Sequence, residues 1–341
     1  MSMAATLASK LTLAPDLSPV SRDRNFKGRI KQMFGTYSAQ IGKSILASLF
    51  GALFFLPLIA VFVVVLNYVV EPNILADYNF VGNLGIGYGA TDGSTFIEAL
   101  SRIYDARIQY SLFIIPGMMI GSIGMAGVYN YMRNCLWGVE SKFFRDFFRG
   151  IKRHWYKFLI VYTVLGVIAT GATCSILEII KANAIGAPAA AYWWVLAIVS
   201  CLLGLIAVMY CIILVPMFVT YKFSQKPFEN FGICLKNAAI LTCMNWIQVL
   251  IISVLFIAPC LLFLISQISL IMLIIFIAVG FSFYALMNIS YSQFMTDNFI
   301  AYLYNKQQED AKKQQQKEAK AAAKKAESKN NNKISYKKKK K

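Results

Sequence analysis

Long apolar runs alternate with short basic ones along this chain. Six runs reach the length of a membrane-spanning helix, at about 44–70, 109–132, 155–180, 192–221, 238–265 and 268–303. A hydrocarbon core about 30 Å thick is crossed by about 20 helical residues. Every run meets that length, and the longer ones have residues to spare for tilting or for entering the headgroup layer. The second half of the sixth run turns polar, with Asn288, Ser290 and Asp297.

Each pair of runs follows a basic stretch with aromatic residues at helical spacing. In 26–43, Phe26, Ile30, Met33, Phe34, Tyr37 and Ile41 share a face, while Lys27, Arg29 and Lys31 lie elsewhere. In 142–157, Phe143, Phe144, Phe147, Phe148, Ile151 and Trp155 oppose Arg145, Arg149, Lys152 and Arg153. The third, 227–237, is shorter; Pro227 suits a first helical turn, and Phe228, Phe231 and Leu235 follow it. Helices of this kind lie in the headgroup plane with cations toward anionic lipid. The pattern predicts an all-α polytopic membrane protein with six transmembrane helices as three hairpins, each preceded by a cytoplasmic amphipathic helix. The alternative is that these stretches are the inner ends of longer spanning helices. Three regions follow: an N-terminal cytoplasmic segment 1–25, a membrane domain 26–304 with an outer loop 71–108, and a lysine-rich cytoplasmic tail 305–341.

Charge placement orients the runs. Of 34 Lys and Arg, thirty fall in 1–43, 133–154, 222–237 and 304–341. The stretch 71–108 has only Arg102 and Arg107 against five acids, Glu71, Asp77, Asp92, Glu98 and Asp105. This alternation predicts both termini on the cytoplasmic side of the membrane. Trp137 and Trp155 then fall at the inner interface and Trp193 and Trp194 at the outer one, where indole is favoured. Trp246 lies within a run and reads as packing. No cleavable signal peptide is expected, since the first long apolar run starts near Ser44.

Composition agrees. The chain is 58% hydrophobic and 15% charged, with mean hydropathy +0.56. Soluble chains run about 45–50% apolar and about 25% charged, so a secreted disulfide scaffold, a coiled coil and a disordered chain are excluded. The seven cysteines are odd in number and none falls in an outer loop, against a disulfide framework. With one histidine, His154, and no CxxC, there are too few ligands for a zinc site. No cofactor, metal or catalytic residue is expected.

Three segments resemble the YesL-like family, bacterial integral membrane proteins of unknown function. They are FLPL at Phe55–Leu58, GMAGVYNYMRNCLWGVESKFFRDFFRGIKRHW at Gly124–Trp155, and LKNA at Leu235–Ala238. Phe143, Phe144, Phe147, Lys152 and Trp155 match the family's aromatic basic helix before its third span. The resemblance covers roughly 26–304 and implies a six-helix membrane protein, in some members linked with carbohydrate uptake, with no assigned catalytic residues. The loop 71–108 and the lysine tail depart from the compact family form.

Several residues bear on function. Gly82–Ser94 is glycine-rich but lacks the Lys of a P-loop and a preceding strand, so it reads as a linker. Thr95 and Glu98 have capping-box spacing and predict a helix from Phe96. Gly117, Gly121 and Gly124 sit on one face of the second run and let backbones approach, within the chain or in a homodimer. Pro57, Pro116, Pro216 and Pro259 each interrupt a run, as kinks or as hinges. Asn245, Gln248 and Asn288 are the deepest strong polar side chains, as interhelical hydrogen bonders or as pore contacts. No Asp, Glu, Lys or Arg occupies the middle of a run, which argues against ion-coupled transport. Phe143, Phe147, Arg145, Arg149, Lys152, Arg153 and Trp155 form a candidate surface for lipid or a partner, with His154 as a headgroup contact. The tail ends in Lys337, Lys338, Lys339, Lys340 and Lys341, a polyanion-binding segment for anionic lipid or RNA, or a solvated one.

The resulting expectation is a non-catalytic membrane protein, accessory or scaffold to a system such as solute (carbohydrate) uptake. Its partners are lipids of the anionic inner leaflet and another membrane protein complex. A small transporter or channel is one alternative. A ribosome- or insertion-associated factor, through RNA at the tail, is another.

Overall fold

The computed structural model describes residues 7–14, 25–77, 93–140, 142–261 and 266–316, and these are helical with no strand among them. Helix α1 is Phe26–Ala39 and α2 is Ile41–Ile59. A π-helical stretch, Ala60–Val70, continues α2 into α3, Glu71–Asp77. Then follow α4 (Gly93–Ser111), α5 (Ile114–Leu136), α6 (Phe143–Ala184) and α7 (Ala191–Thr220). The last elements are α8 (Pro227–Met244), α9 (Trp246–Leu261), α10 (Ser266–Ile275) and α11 (Phe281–Thr296).

Five continuous helical stretches are long and apolar enough to cross a membrane: Ile41–Leu75, Ile97–Leu136, Phe143–Ala184, Ala191–Thr220 and Ile271–Gln316. The pair Pro227–Met244 and Trp246–Ala258 makes a sixth if counted as one span, bent by 98°. Along α7, Val195, Ile198, Leu202 and Ile206 are exposed. A helix that is apolar all round and still exposes such a stripe needs lipid, not water, as its solvent.

Helix α5 is central. From Gly124 to Met132 every residue is buried, with α2, α6 and α11 packed against the helix. The glycine stripe makes the first contact. A Cβ on Gly117 would fall 2.7 Å from Leu58, on Gly121 2.2 Å from Phe55, and on Gly124 2.6 Å from Phe54. The stripe thus packs α5 on α2 within the chain. On the α6 side, a Cβ on Gly150 would lie 2.8 Å from the carbonyl oxygen of Ala126.

The basic stretches differ among themselves. The first is a helix of its own, ending at Gln40. The second is not: it is the start of α6, a single helix of 42 residues. At 1.5 Å per residue that is about 63 Å, roughly twice a hydrocarbon core, so the continuous-helix alternative holds there. The third extends to Met244 and breaks at Asn245, inside the expected fifth run. Asn245 donates to the carbonyl of Leu241, 3.2 Å away, in its own helix. Trp246, just past the break, is 57% exposed rather than packed. The break turns it away from the bundle.

The expected loop 71–108 is largely helical: α3 extends the first span and α4 leads into the second. The glycine-rich stretch between them lies outside the described residues, apart from its last two positions at the start of α4. Arg107 pairs with Glu71 at 2.7 Å and Lys181 with Asp105 at 2.5 Å, tying α4 to α3 and to the far end of α6.

Candidate functional site

The opposite end of the bundle gathers basic side chains around a cavity. Its first wall is the end of α5. That helix closes in a Schellman turn: Gly138, at φ 62°, donates to Cys135, and Val139 donates to Asn134. The chain thereby reverses into α6, which carries Asp146 in its first turn. Asn130 Nδ2 donates to the carbonyl of Asp146 at 2.7 Å, locking the two helix ends together.

Arg133 spans to α7. Its guanidinium hydrogen bonds the carbonyl of Val219 and, at 2.7 Å, Asn134 Oδ1, and lies 4.9 Å from the Trp137 ring centroid. Val219 is in the last turn of α7, where helical carbonyls lack partners, so Arg133 serves as its cap. The following loop is held by Asn230 of α8, whose Oδ1 accepts from the N–H of Phe223 at 2.7 Å. Tyr221 is held from elsewhere: its hydroxyl donates to Asp297 at 2.6 Å, and Asp297 pairs with the buried Arg29 at 2.6 Å. Arg29 was expected on the polar face of α1; the carboxylate of Asp297 draws it inward instead.

These elements enclose a cavity of about 440 Å³. Its basic residues are Arg133, Arg153, His154, Lys157 and Lys222, and none of the described residues lining it is an acid. Lys157 is only 4% exposed, and its Nζ lies 5.6 Å from the Phe218 ring and 5.9 Å from that of Tyr156. His154 Nδ1 is buried without a hydrogen-bond partner. A neighbouring cavity of about 350 Å³ shares Arg133, Trp137 and Arg153 and adds Arg145, Arg149, Glu140 and Asp146. There the charge is partly balanced: Asp146 is buried, 3.3 Å from Arg145 and 3.9 Å from Arg149.

The proposed aromatic basic surface divides in two. Phe147 is fully buried and Phe143 half-buried, 5.9 and 5.1 Å from Phe50 between ring centroids. Phe147 therefore is not part of a lipid or partner surface. Gly127 opens the space it fills, since a Cβ there would fall 2.7 Å from the Phe147 ring. The exposed residues of this turn of α6 are Phe144, Phe148, Trp155, Arg145, Arg149, Lys152 and Arg153.

Of the deep polar residues, only Asn288 bridges helices, donating to the Tyr129 hydroxyl at 2.7 Å. Asn245 serves its own helix end, and Gln248 lies on the exposed face of α9. Gln293, five residues beyond Asn288, is fully buried with neither end of its amide hydrogen bonded. Lys337, Lys338, Lys339, Lys340 and Lys341 lie outside the described residues.

Sequence reasoning missed Arg133, Lys157 and Lys222 as parts of one site. Arg133 and Lys222 were visible only as two charges among thirty on the basic side, and Lys157 only as a lysine just inside the third run. Comparison with protein-family models, with curated proteins and with solved structures finds no match to this chain.

Proposed function

We propose that this is a non-catalytic multi-pass protein of a bacterial plasma membrane that acts as an accessory to another membrane system, with solute (carbohydrate) uptake the leading candidate. It recognises an anionic partner at the inner leaflet. The observation that carries the reading is the cavity lined by the cations of Arg133, Arg153, Lys157 and Lys222, with no acid among the described residues that line it. The exposed cations Arg145, Arg149, Lys152 and Arg153 extend the same field outward along α6.

Counting the bent pair α8–α9 as one span makes six crossings. An even number puts both termini on one side, and the clustering of lysine and arginine makes that side cytoplasmic. The grouping into three hairpins and the resemblance to the YesL-like family belong to this same proposal, and so does a lipid-binding role for the lysine tail.

The test has two parts. A reporter fused after Gly89 should read outside and one fused after Lys306 inside; a cytoplasmic Gly89 fusion refutes the orientation. Charge reversal at Arg145 and Arg149 should weaken crosslinking to partners in the native membrane at unchanged protein abundance. Unchanged crosslinking and an unchanged uptake phenotype would refute the accessory role.

A further inference from the structure

Lys157 stands out in this bundle. Its side chain is almost wholly enclosed and lies against the rings of Phe218 and Tyr156, with no carboxylate paired to it among the described residues. A buried ammonium without a counterion is costly, and two cation–π contacts at nearly 6 Å recover only part of that cost. Arg133, Arg153 and Lys222 reach the same space from α5, α6 and the loop before α8. His154 adds a buried ring nitrogen with no partner. Of the described acids, Asp297 is engaged by Arg29 and Tyr221, Asp146 lies beside Arg145 and Arg149, and Glu229 accepts from the Ser224 hydroxyl.

Several cations converge from different directions on one half-open pocket, and no acid is among the described residues lining it. A singly charged carboxylate would leave most of them unbalanced. A phosphoryl dianion has three acceptor oxygens and the charge to engage two or more at once. The volume of about 440 Å³ also lies within the usual range of small-ligand pockets. Phe218 and Tyr156 give it an apolar wall for whatever the phosphate is attached to.

We propose that this cavity binds a phosphate monoester, with Lys157 as its buried contact and Arg153 and Lys222 at its mouth. The inference rests on the inner-face reading above, and it sharpens the anionic partner to one chemical group. That group comes from a soluble metabolite or from a lipid such as phosphatidate, and the experiment separates the two.

The full-length protein is placed in nanodiscs of phosphatidylcholine, and its thermal unfolding is followed with inorganic phosphate, glucose 6-phosphate or sodium acetate added. A second preparation contains phosphatidate in the bilayer. The expected result is a concentration-dependent rise in Tm with one of the phosphate probes or with phosphatidate, and none with acetate. A shift with the soluble probes assigns the site to a metabolite; a shift in phosphatidate discs alone assigns it to lipid. Lys157→Met removes the charge while keeping an apolar chain of similar length. It should unfold no earlier than wild type when unliganded and bind about tenfold or more weakly. Lys236→Met, at an exposed lysine outside the lining, should bind as wild type does. No shift with any phosphate source, or undiminished binding by Lys157→Met, overturns the proposal. If Lys157→Met does not fold, Lys222→Gln takes its place, with weaker binding expected and unchanged binding overturning the proposal. Because both faces of a nanodisc are open, a failed topology test leaves this measurement standing, so the two readings fail separately.

Discussion

Arg133, in the last turn of α5, hydrogen bonds the carbonyl of Val219, 86 residues further along, and so closes the end of α7 with a side chain from another helix. The same guanidinium stacks on Trp137 and bonds Asn134. One residue thereby joins two helices and forms part of the cavity wall.

Arg133→Met should accordingly destabilise the protein by about 1.5–3 kcal/mol, the usual worth of a hydrogen bond to a charged group. Thermal unfolding in detergent measures it. The loss should be larger than for Arg102→Met, whose ion pair with Glu98, at 3.2 Å on the same helix, is exposed.

Gly121→Ala should be destabilising because its Cβ would fall 2.2 Å from a Phe55 ring carbon. Overpacking of this kind costs about 1–3 kcal/mol. Gly35→Ala, inside α1 with nothing within 4 Å, should be neutral or stabilising, since alanine favours a helix interior over glycine. The two variants, compared by unfolding midpoint, separate close packing from helix propensity.

Asn237 holds the N-terminal segment. Its Oδ1 accepts from the N–H of Thr12 at 3.0 Å, and its Nδ2 donates to the carbonyl of Thr12 at 2.9 Å. Leu11 and Ala14 are buried on either side. Asn237→Leu removes both bonds, so trypsin should cut after Lys10 markedly faster than in wild type. An unchanged cleavage rate would mean that the burial of Leu11 and Ala14 alone holds the segment. Asn237 was read from the sequence only as a letter of the LKNA match; nothing nearby signalled a partner at Thr12.

What could be read without a structure followed from local periodicity. The helical character of the apolar runs, their ability to cross a membrane and the concentration of cations on one side of the alternation come from residues near one another in the chain. The glycine stripe of Gly117, Gly121 and Gly124 is also legible, because i, i+4, i+7 spacing sets a face by helix geometry alone. The face's partner, α2, was not.

The misread residues share one cause. Phe147 and Phe144 look equivalent on a helical wheel, yet one is buried against Phe50 and the other exposed. The difference lies in Gly127, a residue of another helix that leaves room for the ring. Arg29 sits among lysines and reads as a solvated charge until Asp297 meets it from 268 residues away. Asn245 reads as a deep polar contact, but its carboxamide goes to its own helix end.

Residue order alone carried the helical class, five of the membrane-crossing runs and the placement of charge, because each depends on side chains within a few turns of one another and on the solvent they require. Tertiary structure alone decided which cations converge. Arg133, Lys157 and Lys222 come from two helices and a loop, and no local period relates them. They meet because α5 and α6 approach at Gly150 and because the end of α7 is capped by Arg133. The cavity is a property of that packing, since its charge balance depends on where the carboxylates of the described residues are engaged.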